Sequence, residues 1–347
     1  MSCLLLLACG AGGLLACDRA VPEPVHDRPA PMLVEMRPEP LDTDVPLERA
    51  MRLRFDRYLR PASVVRQSVL VTPGFIDPES GALTGPAFFF DPVYDPYDRL
   101  VVFQLGRARW VPTTLHSVRL FAPVDEADIA GFRAFDGAPF AETVAFSFVA
   151  GDLVSKPDAD NDDVLPRVRF CEHDDGSDAL PAAEVVLRTS CATSGCHGAS
   201  PVLGMDLSGA AAMRSTAIRV VARQTMTGPS VGGTSDLPHR FGDDMPRVDP
   251  GSAGNSYLVY KLLVNRDNHP DPGEAESDSD PWLGGISSPG PSSSLEIDRL
   301  RSWFVRGKPM PMNGHLEPNQ MRSVVRWVLQ GAPVTFCADG STKANGL

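Results

Sequence analysis

The chain has 347 residues, which is enough for two ordinary domains, and 43% of them are hydrophobic, which suffices for a packed core. Its 33 prolines and 30 glycines predict many loops and a helix content below the average of globular proteins. The net charge of -12 argues against nucleic-acid binding, because phosphate contacts require clustered lysine and arginine.

Residues 4–15 form an apolar run that is too short to span a bilayer and is typical of a signal peptide. The run ends in Leu14-Leu15-Ala16-Cys17, which resembles a bacterial lipobox. That resemblance implies that residues 1–17 are a lipoprotein signal peptide and that Cys17 carries lipid; an ordinary secreted protein is the alternative. Residues 18–36 are predicted to be a Pro-rich tether. We therefore expect an exported, lipid-anchored protein on the periplasmic side or the cell surface.

The first predicted domain, residues 37–150, contains short segments in which apolar and polar residues alternate, separated by turn residues such as Asp91-Pro92. This pattern predicts an antiparallel β-sandwich with strands near 51–55, 68–71, 100–105, 116–121 and 144–148. The order of Val45-Pro46-Leu47, the strand ending at Phe55 and the closing strand Phe146-Ser147-Phe148 resembles bacterial Ig-like domains. That resemblance implies a spacer or an interaction module, and we expect His116 to lie on a strand face without binding a ligand.

An acidic linker is predicted over residues 151–166. Its run Asp158–Asp163 places oxygen-bearing side chains at alternate positions, as in a calcium-binding EF-hand loop. However, Asp163 stands where that loop needs glycine, and Arg169 stands where it needs glutamate. We therefore predict a solvated linker and not a calcium site.

The second half of the chain carries a candidate cofactor motif. Cys191 and Cys196 are followed at once by His197, the order of residues that attaches haem c, although four residues separate the cysteines where two are usual. In such a site the cysteines form thioethers and the histidine is the proximal iron ligand. Residues 182–190 predict a helix that leads into the motif. Two alternatives are a Cys191–Cys196 disulfide beside a solvated histidine and a zinc site that also uses Cys171.

A methionine loop and a terminal helix follow the motif. The loop is Gly307–Met312, and the helix is predicted over Asn319–Gly331 from apolar residues at helical spacing. A Met-Pro loop before a final helix that contains Trp327 and ends Gly331-Ala332-Pro333 resembles class I cytochrome c domains over residues 165–335. The resemblance implies a mainly helical domain with long loops, which we assign to residues 167–340, and one covalent haem c.

The distal iron ligand is less defined by the sequence. The resemblance favours Met310, with Met312 as the alternative, and Met310 lies 113 residues after His197. Other candidates are Met245, His239, His269 and His315. This separation is longer than a compact domain needs. Much of the additional length lies in residues 265–294, which are dense in proline, glycine, serine and aspartate and are expected to form a surface loop. In an exported chain the remaining pair, Cys171 and Cys337, is expected to form a disulfide.

These expectations combine into one function. The chain is predicted to be an exported, lipid-anchored monohaem c-type cytochrome that exchanges electrons with redox protein partners and has no catalytic residues of its own. One alternative is a haem-free surface lipoprotein with a structural or adhesive role. Another is a haem subunit or sensor attached to a larger oxidoreductase.

Overall fold

The computed structural model describes residues 27–77, 82–105, 108–152, 168, 170–171, 180–193, 195–198, 204–222, 245–269, 282–305 and 308–334. Its strands are β1 Leu33–Arg37, β2 Met51–Phe55, β3 Val69–Pro73, β4 Asp91–Asp95, β5 Leu100–Gln104, β6 Leu115–Leu120 and β7 Val144–Val149. Its α-helices are α1 Ala183–Ser190, α2 Ala210–Thr216, α3 Tyr257–Leu263, α4 Ser294–Trp303 and α5 Pro318–Leu329. The predicted order, strands first and helices second, is therefore correct.

The strands form two antiparallel sheets that pack face to face. One sheet has the order β1-β2-β5-β4 and the other has the order β3-β6-β7. Their facing side chains build one apolar core, to which the first sheet contributes Leu53, Phe55, Val101 and Phe103, and the second contributes Val71, Val118, Leu120 and Phe148. This is a sandwich-like arrangement, and five of its strands match the predicted alternating segments.

Two strands were missed by the sequence prediction. Residues 33–36, which we assigned to a tether, belong to β1, because Leu33 pairs with Phe55 and Met36 pairs with Leu53. Asp91-Pro92 was interpreted as a turn, but it begins β4, which pairs only with β5. A proline is compatible with this strand because β4 lies at the edge of its sheet, where a missing N–H interrupts no ladder.

The prediction that residues 265–294 form a surface loop is wrong for the part that begins at Trp282. Trp282, Leu283 and Ile286 are buried, and they pack with Leu100 and Val102 on the outer face of the first sheet. Because that sheet is covered on both faces, β5 is apolar at successive positions instead of alternating. The sandwich is thus partly enclosed by a segment from the second half of the chain.

Buried charges also join the two halves. Arg57 donates to Asp136 over 2.6 Å and to Glu296 of α4 over 3.0 Å, and all three side chains are at most 4% exposed. The other Glu296 oxygen accepts from the backbone N–H of Tyr58 over 3.2 Å. At the start of α4 the Ser293 hydroxyl caps the helix by accepting from the Glu296 N–H, while the Glu296 side chain bonds to the sandwich.

The helices share a second apolar core. α1 packs against α5, and Trp327 of α5 is fully buried, with its ring 6.0 Å from that of Phe170. The Trp327 indole N–H donates to the carbonyl of Pro333 over 2.9 Å, which fixes the chain just after α5. Gly331, two residues beyond the last residue of α5, allows this turn with a φ of +94°. Among the described residues, no helix combines the length and the apolar character needed to cross a membrane.

Candidate functional site

The Cys191–His197 motif forms a compact turn at the end of α1. Cys191 follows the last residue of that helix, and its N–H donates to Leu187 over 3.0 Å. The N–H of His197 then donates to the carbonyl of Cys191 over 3.1 Å, so the motif folds back on its first residue. Gly195 supplies the turn with a φ of +80°, a conformation that L side chains rarely adopt. The predicted helix before the motif is confirmed.

The His197 ring is oriented by one backbone carbonyl. Its Nδ1 lies 3.0 Å from the carbonyl oxygen of Met205, and because a carbonyl can only accept, Nδ1 carries the proton. Nε2 therefore presents a lone pair, and no described residue bonds to it. Burial lowers the pKa of His197, and nearby Arg247 and Lys261 lower it further, whereas the bond to Met205 opposes the shift. This neutral tautomer, held by a carbonyl on its other nitrogen, is the form that ligates metals.

A cavity of about 560 Å³ opens beside the motif. Segments distant in sequence build it, and its walls are mainly apolar. The motif contributes Cys191, Cys196 and His197; α3 contributes Tyr257, Leu258, Lys261 and Leu262; and the methionine loop contributes Met310, Pro311 and Met312. Met205, Leu207, Val220 and Val221 complete much of the wall. Size and lining are those of a site for an organic ligand.

Both motif cysteines are free thiols on this cavity. Cys191 is buried, and burial, together with the neighbouring Cys196, raises the pKa of its thiol to about 12. Cys191 is thus an unionised thiol at neutral pH. The disulfide alternative for the motif does not form in this structure.

The zinc alternative loses a ligand, because Cys171 is disulfide-bonded. Within the described part of the chain, no group of three or more His, Cys, Asp or Glu side chains is arranged to hold a metal ion. Cys337, the predicted disulfide partner of Cys171, lies outside the described residues, as does Cys17, the predicted lipidation site. Those two assignments remain predictions.

Two buried asparagines hold the methionine loop. Asn268, which is fully buried, donates from Nδ2 to the carbonyl of Met310 over 2.9 Å, and its Oδ1 accepts from the N–H of Leu316 over 2.7 Å. Asn265 donates to the carbonyl of Gly314 over 3.1 Å. The loop, at Met310, and the residues that follow it are thereby attached to the short 3-10 turn that follows α3. The sequence analysis did not identify these asparagines, because only their packing brings them to the loop.

The other residues predicted as possible distal ligands lie away from the cavity or outside the described residues. Met245 is buried and is absent from the described cavity wall. His269 was expected in a loop, but it is buried, and its Nε2 donates to the carbonyl of Leu263 over 2.8 Å. His315 is exposed and pairs with Glu317 over 2.9 Å. His239 lies outside the described residues. Of the described candidates, the cavity therefore brings only Met310 and Met312 together with His197.

Arg247 and Lys261 add two basic side chains to the cavity wall, which the sequence analysis did not anticipate. Arg247 is anchored by bonds from Nη1 to the carbonyls of Gly204 (2.7 Å) and Thr216 (2.6 Å). Lys261 is buried, and burial, followed by the charge of Arg301, lowers its pKa to about 8. The arrangement suits a large ligand that is mostly apolar, carries acidic groups and presents a metal to His197.

No family model matches the chain, and no curated protein matches it. Among solved structures, the N-terminal part of the bacterial S-layer protein SbsC is 12% identical, with a TM-score of 0.25 over 36% of this chain and 24% of that one. PcoC, a methionine-rich copper resistance protein from Escherichia coli, is 17% identical, with a TM-score of 0.24 over 35% of this chain and 99% of that one. CopC from Methylosinus trichosporium OB3b is 15% identical, with a TM-score of 0.23 over 35% of this chain and 93% of that one. Likenesses at these TM-scores carry no argument about this chain.

Proposed function

We propose that the chain is a monohaem c-type cytochrome that transfers electrons. The observation that carries the proposal is the composition of one cavity wall. Two free thiols line this space, together with a neutral histidine whose Nε2 lone pair is available. A methionine loop more than one hundred residues further along the chain lines the same space.

Each group has a defined role in this proposal. Cys191 and Cys196 would each add S–H across one vinyl double bond, with sulfur bonding to one carbon and hydrogen to the other, so attachment needs no oxidant and no leaving group. His197 would ligate iron through Nε2 while Nδ1–H stays on the Met205 carbonyl. Met310 would provide a second protein ligand to the iron, and a methionine there favours a higher reduction potential than a histidine would.

The cofactor would supply a one-electron couple at iron, and the chain supplies attachment, orientation and exclusion of water. The apolar wall formed by residues such as Leu207, Leu258 and Leu262 keeps the local dielectric constant low. Arg247 and Lys261 lie where acidic groups of the bound molecule would be neutralised. Val221 and Met312, which are 41% and 46% exposed, lie on the same cavity and form an apolar part of its rim where a redox partner would approach.

The proposed function includes the predictions made from the sequence about the domains, export, the lipid anchor and the disulfide. The helical region is a cytochrome c-like domain, and the sandwich is an Ig-like domain. The chain is exported, anchored through lipid on Cys17 and closed by a Cys171–Cys337 disulfide, and it works with redox protein partners rather than as an enzyme. Attachment of haem c outside the cytoplasm agrees with the signal-like N-terminus.

The direct test is the visible spectrum of the full chain produced in a host that matures c-type haem. A pyridine haemochrome spectrum of the c type and one covalent haem per chain are expected. The double variant Cys191→Ser/Cys196→Ser should lose covalent haem altogether, because neither hydroxyl adds to a vinyl group. Thr193→Ala, an exposed change between the two thiols, should retain it. A colourless wild-type protein from that host would leave the haem-free surface lipoprotein as the better hypothesis.

A further inference from the structure

The sandwich and the methionine loop are linked by a short series of buried contacts. Tyr97 lies on the turn between β4 and β5 and is 4% exposed. Its ring is stacked on that of His269, with centroids 6.3 Å apart and an angle of 17° between the planes. On α5, the guanidinium carbon of Arg322 lies 5.8 Å from the centroid of the same tyrosine ring. The turn of the first region is therefore packed into the second.

His269 closes the 3-10 turn Arg266–Asn268 that follows α3. Its Nε2 donates to the carbonyl of Leu263, near the end of that helix, over 2.8 Å. Its backbone N–H donates to the carbonyl of Arg266. The imidazole is thus tied to α3 by one nitrogen and supported from the sandwich by Tyr97. Because Asn268 is the residue before it, holding His269 in place also holds the backbone next to Asn268.

Asn268 links α3 to the methionine loop and to the residues that follow the loop. Nδ2 donates to the carbonyls of Leu262 (2.8 Å) and Met310 (2.9 Å), and Oδ1 accepts from the N–H of Leu316 (2.7 Å). A fully buried amide with these three bonds is held rigidly, because each lost bond would leave a backbone group unsatisfied. Met310 is one of the bonded residues, whereas Met312, two residues further on, is 46% exposed.

We propose that Asn268 is the residue that positions Met310 on the cavity wall, and that the β-sandwich keeps Asn268 in place through Tyr97 and His269. The inference rests on the proposed function and extends it, since it makes the sandwich a part of the ligand site instead of a spacer. It also identifies Met310, and not Met312, as the distal ligand. Asn268 acts through Met310 and does not touch the cofactor itself.

The distal ligand provides readouts that a purely structural role would not change. In haem-loaded protein these are the methionine-to-iron charge-transfer band of the ferric state, the midpoint potential and the affinity of ferric iron for added imidazole. Met310→Ala should abolish the band and lower the potential, because methionine ligation raises it. Met312→Ala, a matched change in the same loop, should leave the band in place.

Asn268→Ala should weaken the band, lower the potential and increase imidazole affinity about tenfold, the expected effect of losing the side-chain hydrogen bond to the Met310 carbonyl. The longer bond from the Met310 N–H to the carbonyl of Lys261, at 3.4 Å, would remain. Asn268→Ser, which is smaller and keeps one polar atom, provides the same test if the alanine variant does not fold. Asn255→Ala is the control: this asparagine also belongs to a 3-10 turn of the second region, but it bonds to Asp249 and not to the loop. It should behave as wild type.

Tyr97→Ala tests the contribution of the sandwich and should shift the same three readouts in the same direction as Asn268→Ala. Tyr97→Phe, which keeps the stacked ring, should restore them. A haem-loaded Asn268 variant with the wild-type band, potential and imidazole affinity would overturn the role of Asn268, and an unchanged Tyr97→Ala variant would overturn that of the sandwich. Absence of haem from the wild-type chain would instead refute the proposed function, and this inference with it.

Discussion

Each of the two regions of the molecule holds a histidine whose Nδ1 bonds to a backbone carbonyl, but the two rings differ at Nε2. His116 of the sandwich donates from Nδ1 to the carbonyl of Thr114 over 3.0 Å, and its Nε2 accepts from the N–H of Val111 over 3.2 Å. Its ring is stacked on Phe148 at 5.1 Å. His197 of the second region uses only Nδ1 and lies on a cavity.

The difference shows how position in the fold determines what a histidine can do. Both rings have a lowered pKa because of burial, so both are neutral near pH 7. In the sandwich, however, both nitrogens of His116 are used by the backbone, and the ring packs in the core on β6, a strand position that the sequence predicted. In the second region one nitrogen is held and the other is available, which is the condition for a metal ligand.

The largest expected effect is a difference in haem incorporation between variants of these two histidines. If the proposed function is correct, His197→Ala should abolish haem incorporation, because the proposed iron ligand would be removed, while the sandwich remains folded. His116→Ala should retain haem but lower the free energy of unfolding by about 3 kcal/mol, because it opens a cavity in the aromatic core and leaves the Val111 N–H unsatisfied. Absorption spectra and chemical denaturation measure the two outcomes. Loss of haem in the His116 variant alone would reverse the comparison.

A second comparison concerns the charges that join the regions. Arg57→Ala should lower the free energy of unfolding by about 3–5 kcal/mol, because Asp136 and Glu296 would remain buried without their partner. Arg66→Ala is the matched control: its ion pair with Asp91 is exposed on both sides, and its loss should change the free energy of unfolding by less than about 1 kcal/mol. Equal effects of the two variants in denaturation experiments would show that the interface contributes little to stability.

The smallest effect concerns pH and the buried Asp95, whose Oδ1 accepts from the N–H groups of Tyr97 and Asp98. Burial, and then the charge of Asp98, raises the pKa of Asp95 from 3.8 to about 7, against the opposing charge of Arg326. The folded state therefore retains a proton that the unfolded state releases, so the contribution of Asp95 to stability is present below about pH 4 and is lost as pH rises through 7.

Asp95→Asn keeps the acceptor and removes this ionisation. Between pH 5 and 8 the variant should gain roughly 2 kcal/mol in free energy of unfolding relative to wild type. The exposed Glu142→Gln is the charge-matched control and should follow the wild-type pH dependence. Parallel stability curves for wild type and Asp95→Asn would contradict the buried ionisation.

Local patterns predicted the elements that behave as isolated units. The alternation in Met51–Phe55 predicted β2, and the spacing of Met321, Val324, Val325 and Val328 predicted α5, because each pattern records which face of one element is buried. The strand β4 was missed because Asp91-Pro92 looks like a turn unless its place at a sheet edge is known. Trp282–Ile286 was misassigned because the surrounding proline, glycine and serine conceal three buried apolar side chains.

The sequence by itself determined which groups could form the site: Cys191, Cys196, His197 and the Met310 loop, together with the helix that leads into the motif. The tertiary structure alone decided that these groups share one cavity, that Asn268 attaches the loop and that Tyr97 of the sandwich supports it. Chemistry of this kind depends on residue type and local spacing, which can be read along the chain. Burial, hydrogen-bond partners and the orientation of a ring depend on contacts between residues far apart in sequence, and only folding brings those together.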